Sequence, residues 1–460
     1  MRIKITMFFL AFGLIFTPVD SASAAPRVDV TNNKVIFSFP ETAAFSARLT
    51  ANAKITSVVL EYGDKQQTCG EVIAKAFPQF TSAKNTNVEW TWDMRQSGSL
   101  PPGASLWWRW RYTDDTGKEY LSETQTATWL DNTHQWQTIT SDFLRLHWYD
   151  GDQAFAKDLL NAGRAGLEFN KSQSGLIPDS PIDIYIYGNQ QDMKDAVLFE
   201  PAWEGGATYL QYDIVIIGIS PSNAVWGRGA MVHELTHVLV HHLTFSCLGR
   251  IPLWIDEGLA VYSQAEFDAS ATFKDYLDQA ISQNGILSLH SISGDFSAIP
   301  EKSRLSYGES YSIIKFLIDT YKQEKMTSLL TTLRDGIVID DALTKVYGFD
   351  MDGLEDVWRD SIGAVPRVVS AQPTAQPTPT FVPTFVPVSG APLAVTPTPY
   401  AIPTSTFNGG QPSKRGSPPI WLTLSLLGFC CLLMLIFGVF TLGFFVRSQN
   451  IKAMKNDQAK

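Results

Sequence analysis

His233-Glu234-Leu235-Thr236-His237 and, after nineteen intervening residues, Glu257 within Trp254-Ile255-Asp256-Glu257-Gly258-Leu259-Ala260 decide how this chain is read. Two histidines four apart in a helix share a face, one turn above the other. That spacing lets two imidazole nitrogens reach a single ion at roughly 2.0–2.1 Å each. Glu234 stands beside them, placed to act as a base on a metal-bound water. A catalytic zinc keeps three protein ligands and one open position. The third ligand must come from elsewhere, and Glu257 is well placed to supply it.

The surroundings make the short motif more than a chance match. Met231, Val232, Leu235, Leu239 and Leu243 form an apolar stripe at helical spacing, which predicts a helix from about Ala224 to Leu243. Before it, Asp213-Ile214-Val215-Ile216-Ile217-Gly218-Ile219 is a β-branched run that reads as a strand. After it, Gly249 and Pro252 break the chain, and a second helix begins near Leu253. The bland reading is a pair of structural histidines and a surface glutamate. Histidine is scarce, with seven in the chain, so two at ligand spacing around a glutamate favour the metal. His241 lies on the face of His237 but two turns, about 12 Å, from His233, too far to share one ion. His241 and His242 are therefore expected at the surface or the helix end. A third histidine six residues beyond His237 would mark a metzincin, but that position is Leu243.

These motifs resemble those of the gluzincin metallopeptidases. In that clan a strand precedes the ligand helix, and a glutamate from the next helix completes the zinc site. The gap from His237 to Glu257 resembles the thermolysin-type spacing. Pro252-Leu253-Trp254-Ile255-Asp256-Glu257-Gly258-Leu259-Ala260-Val261-Tyr262 is similar to a segment of the bacterial peptidase-MA-like family, as is the later Tyr307-Gly308-Glu309-Ser310. The resemblance covers about residues 136–362. It implies a zinc-dependent peptidase with His233, His237 and Glu257 as ligands and Glu234 as catalytic base. It also implies an oxyanion donor, for which Tyr307 is named over Tyr311, and an edge strand within 209–219 that holds peptide substrate. One departure stands out. Thermolysin-like members carry an aspartate four residues after the ligand glutamate, which orients a zinc histidine; here that residue is Val261. Asp256 or a backbone carbonyl is expected in its place.

The chain has 460 residues, 45% of them hydrophobic, enough for two domains and more. Its net charge of −10 carries no nucleic-acid footprint. Residues 1–24 read as a signal peptide, with Arg2 and Lys4 ahead of an apolar core and Ala22-Ser23-Ala24 as cleavage site. Residues 420–446 hold no charged residue and are long enough for a tilted transmembrane helix. Arg447, Lys452, Lys455 and Lys460 follow it, against Lys414 and Arg415 before it, which favours a cytoplasmic tail at 447–460. The bulk is then expected outside the cell. Cys430 and Cys431 lie in the span; Cys69 and Cys247 face an oxidising side, where pairing is open.

Residues 26–133 read as an immunoglobulin-like β-sandwich. Val35–Phe39, Ile55–Tyr62, Val88–Trp92 and Leu106–Tyr112 are strand-like, with turn signals between them. Trp107, Trp108 and Trp110 raise a sugar-binding platform, but alternation puts Trp108 and Trp110 on one face, as core. Residues 134–363 form the metallopeptidase domain, strands first and helices later, an α+β pattern. A Pro/Thr-rich linker at 365–419 cannot bury enough apolar surface to fold and reads as an extended spacer.

The reading is a membrane-anchored extracellular zinc metallopeptidase acting on peptides or proteins. Its rivals are a non-catalytic surface protein on the same scaffold and an adhesion protein whose β-domain carries the function. Retention of Glu234 argues against the first.

Overall fold

Strands come first and helices after, as the hydrophobic patterns require. The computed structural model describes residues 29–198 and 205–367, all within one compact unit. The expected signal peptide, transmembrane span and tail, and the linker beyond residue 367, lie outside the described residues. No helix among the described residues is long and apolar enough to cross a membrane.

The N-terminal region is a two-sheet sandwich. Its strands are β1 (Asp29–Ser38), β2 (Thr42–Thr50), β3 (Ile55–Asp64), β4 (Ala74–Ala76), β5 (Asn85–Asp93), β6 (Ser105–Asp114), β7 (Glu119–Leu121) and β8 (Gln125–Thr128). One sheet has the order β1-β2-β5; the other runs β4-β3-β6-β7, with β8 also paired to β6. Period-2 alternation drives the packing: along β6, Leu106, Trp108, Trp110 and Tyr112 are buried and the residues between them are not. They meet Phe45, Leu49 and Val88 of the facing sheet in one core. Trp108 and Trp110 both donate from Nε1 to Asn33 Oδ1. Trp107, on the opposite face, lines a separate cavity with Tyr62 and Trp92.

The second region is built on a five-stranded mixed sheet. It comprises β9 (Gln137–Ser141), β10 (Leu144–Trp148), helix α1 (Gln153–Ser174), β11 (Ile182–Tyr187), α2 (Gln190–Ala196), β12 (Gly206–Tyr209) and β13 (Ile214–Gly218). The sheet order is β12-β13-β11-β10-β9. β10, β11 and β13 are parallel neighbours, and β9 and β12 run antiparallel at the two ends. Helices α3 (Ala224–Thr244), α4 (Leu253–Gln264), α5 (Lys274–Gln283), α6 (Pro300–Tyr321), α7 (Gln323–Arg334), α8 (Ile339–Tyr347) and α9 (Met351–Ser361) follow. The apolar stripe read on α3 is buried: Met231, Leu235 and Leu239 join the main core, and Val232 is fully buried as well.

One expectation needs correction. The edge strand meets 209–219 only at Tyr209: β13 within that span is an interior strand, buried at every position, and the outermost strand on that side is β12, Gly206–Tyr209. The all-apolar run signals a strand covered on both faces, not an edge. His241 and His242 stand in the last turn of α3, at the helix end as expected. The His242 side chain is 4% exposed, held between Asp179 and Asp213.

The two regions are tied together. Cys69 and Cys247 form a disulfide across a sequence separation of 178 residues, their Cα atoms 5.6 Å apart. Beside it, His241 Nε2 lies 2.8 Å from Gln67 Oε1, and the Gln67 backbone N–H donates to the Gln211 backbone carbonyl.

Candidate metal centre

The helices set the ligand geometry. His233 and His237 lie one turn apart on α3, and Glu257 comes from the first half of α4. His233 Nε2 and His237 Nε2 are 3.2 Å apart. Glu257 Oε2 is 3.5 Å from the first and 3.6 Å from the second. Ligand atoms about 2.05 Å from a tetrahedral ion would sit roughly 3.3 Å from one another. Among the described residues, this is the one His/Cys/Asp/Glu group whose donor atoms converge in this way.

The far sides of the rings fix what the near sides offer. His237 Nδ1 lies 3.0 Å from Asp256 Oδ1, and His233 Nδ1 lies 2.9 Å from Gln264 Oε1. Both partners are acceptors, so each Nδ1 carries the proton and each Nε2 presents a lone pair. Glu257 Oε2 is buried and has no hydrogen-bond partner. Two lone pairs and a carboxylate oxygen facing one another within 3.6 Å repel unless a cation lies between them. The donor set therefore fits a divalent ion. The same demand shows in the titration of the groups without one. Burial disfavours charge on His237, but Asp256, Glu257 and Glu234 outweigh it and push its pKa up to about 10. Burial would raise the pKa of Glu257, yet His237 and His233 bring it below the ordinary value.

A buried polar chain holds α3 and α4 in register behind the ligands. Asn170 of α1 donates from Nδ2 to Thr236 Oγ1 and accepts at Oδ1 from Ser263 Oγ. Thr236 precedes the ligand His237, and Ser263 precedes Gln264. All three are essentially inaccessible, so the network is dry and satisfied. Val261, where an aspartate was looked for, is fully buried in the core.

Glu234 reaches toward β12. Its Oε2 accepts from Thr208 Oγ1 at 2.6 Å. A Cβ at Gly206 would stand 2.8 Å from Glu234 Oε1. Glycine at 206 is thus what lets the sheet edge come up to the carboxylate. Glu234, the three ligand residues, Asp256, β12 and Tyr307 line one cavity of about 310 Å³. Tyr307 packs its ring between Phe273 and Phe296. Tyr311 instead packs its ring, tilted, against Tyr262, outside that cavity.

The sequence reading therefore brings His233, His237, Glu257, Glu234 and Tyr307 to one place. It anticipated Asp256 as an orienting partner and missed Gln264, Thr208 and Gly206. Gln264 was findable: it follows Glu257 by seven residues, two helical turns, on the same face.

Likeness to solved structures is slight. An aminopeptidase A from Legionella pneumophila, in complex with aspartic acid, aligns at 12% identity and TM-score 0.32, over 69% of this chain and 47% of its own. This chain thus spans about half the length of that protein. A polysaccharide deacetylase from Bacillus cereus aligns at 9% identity and TM-score 0.19, over 44% of this chain and 66% of its own. BhCBM56, as a Br derivative, aligns at 12% identity and TM-score 0.13, over 20% of this chain and 96% of its own. At these scores the structures carry no argument. No curated protein matches the sequence. Residues 163–364, which include both ligand histidines and Glu257, match the family model of the peptidase MA superfamily.

Proposed function

We propose that this protein is a gluzincin-type zinc metallopeptidase, anchored to a membrane by one C-terminal helix with its bulk outside the cell. One observation carries the chemistry: three donor atoms 3.2–3.6 Å apart, with the protons of both histidines held on the far sides by Gln264 and Asp256.

A zinc ion held by His233, His237 and Glu257 would supply Lewis-acid chemistry to the attacking water and the substrate carbonyl. The chain's own residues do the rest. Thr208 occupies Glu234 Oε2, which leaves Oε1, on the β12 side, to take a proton from the water and pass it to the leaving amine. Tyr307 supplies a donor to the oxyanion. An extended peptide adds as a strand to the free edge of β12, its backbone pairing with the strand's outward N–H and C=O groups.

The location rests on sequence: the leader-like residues 1–24, the uncharged span at 420–446 and the basic tail. The Cys69–Cys247 bond supports an oxidising compartment. For the sandwich, the order β1-β2-β5 facing β3-β6-β7 supports the immunoglobulin-like reading.

The test is metal analysis of the purified full-length chain with a digest of a mixed peptide library. About one zinc per chain is expected, with hydrolysis that Glu234→Gln removes while zinc stays bound. Full zinc retention in Glu257→Ala, or unchanged hydrolysis in Glu234→Gln, would overturn the reading.

A further inference from the structure

The cavity that holds the ligands does not end at His237. A second cavity, of about 520 Å³, continues from it along the C-terminal half of α3. Thr208, Tyr209, Leu210, His237 and Asp256 line both, so the two form one cleft. β12 leads from one to the other: Gly206 lies beside Glu234, and Tyr209, three residues on, stands at the shared wall. Three residues of strand span roughly 10 Å.

The second arm has an apolar wall of Val240, Phe245, Ile251 and Leu253. Its one carboxylate, Asp256, already accepts from His237. His241 also lines it, bonded to Gln67; burial, then the neighbouring His242, holds its pKa below the ordinary value, so it adds no charge near neutral pH. That leaves Arg250 as the standing cation. It is exposed, lines the arm, and has no ion pair or side-chain hydrogen bond among the described residues.

We propose that Arg250 reads a carboxylate on the substrate, so that this arm of the cleft selects peptides with an acidic group beyond the residues that lie along β12. The guanidinium fork matches a carboxylate with two parallel N–H donors. The apolar wall beside it lowers the local dielectric and strengthens that pairing over one in open water. No carboxylate of the described chain competes for it. The carboxylate has two possible sources, an Asp or Glu side chain or the free C-terminus of the peptide. The inference rests on the peptidase reading for its choice of substrate, and the test separates the two.

Zinc-loaded full-length protein is given matched quenched peptides: internal Glu with an amidated C-terminus, internal Gln with a free C-terminus, and internal Gln with an amidated C-terminus. The same peptides are titrated by fluorescence anisotropy against the Glu234→Gln chain, which binds without turnover. A preference of about tenfold for at least one carboxylate peptide over the neutral one is expected, the scale of one partly desolvated charge pair. The Glu peptide winning assigns a side chain; the free-acid peptide winning assigns a chain end. Arg250→Ala should flatten the preference and Arg250→Glu should reverse it, with zinc content unchanged. Equal affinities for all three peptides, or a preference that survives Arg250→Glu, overturns the assignment. Absence of hydrolysis of any peptide by the wild-type chain overturns the peptidase reading instead, and the affinity series still decides the role of Arg250.

Discussion

Gln264 Oε1 sits 2.9 Å from His233 Nδ1, on the face of α4 that also presents Glu257. One helix therefore supplies both a ligand and the group that orients a different ligand. The amide carries no charge, so it fixes the tautomer of His233 without the added basicity that a carboxylate confers. Gln264→Ala is expected to weaken zinc binding by about 10–100-fold while leaving the fold intact. Competition with a chromophoric chelator measures this. Unchanged affinity would mean that the ring is held by its packing alone.

Gly206→Val tests the approach of the sheet edge to the base. The new side chain would drive into Glu234 Oε1 and its carboxyl carbon, which lie 2.8 and 3.0 Å from where its Cβ would stand. Displacement of a reacting group by about 1 Å costs on the order of 100-fold in rate. Turnover should fall by that order, with zinc content and melting temperature near wild type. A loss confined to KM would show that β12 moved and Glu234 did not.

Tyr307→Phe removes a hydroxyl from the wall of the ligand cavity and keeps the ring between Phe273 and Phe296. If that hydroxyl donates to the oxyanion, kcat should drop about 10²–10³-fold with little change in KM. Tyr311→Phe is the control, because Tyr311 lies outside the cavity. Equal effects from the two would remove Tyr307 from the chemistry.

Glu309 gives a pH dependence unrelated to the metal. It is fully buried; one carboxyl oxygen accepts from the Leu287 amide and the other has no partner. Burial pushes its pKa up from 4.5 to about 8. Between those values the folded chain keeps a proton that the unfolded chain has lost. Its contribution to stability is therefore present below about 4.5 and is lost as pH rises through about 8. The melting temperature should fall over that interval, and Glu309→Gln should flatten the fall. An identical slope in the variant would place the effect on other groups.

The legible parts of this protein were those written in local periodicity. The i, i+4 histidines and the stripe beneath them define α3 without any knowledge of the rest of the fold. Strands β1, β3, β5, β6 and β13 announced themselves through β-branched and aromatic runs. β2 did not: its buried positions are Ala43, Phe45, Ala47 and Leu49, and alanine is a weak strand signal. β12 is four residues led by a glycine, and only its partner β13 makes it a strand. The Asn170–Thr236–Ser263 chain joins three helices, so it exists only once they pack. Val261 was read as a missing orienting group. The group stands one turn further along the same helix, as Gln264.

The bond between Cys69 and Cys247 sets the limits of what can be moved or cut. Cys69 follows β3 of the sandwich and Cys247 follows the ligand helix, so the two regions are fastened beside the wall that carries Arg250. A fragment starting at residue 134 would keep every ligand yet leave Cys247 an odd thiol and strip Gln67 from His241. A nick between the regions would release nothing until the disulfide is reduced. The exchangeable unit in any chimera or truncation is thus the sandwich together with the helical region, although His233, His237 and Glu257 all come from the second.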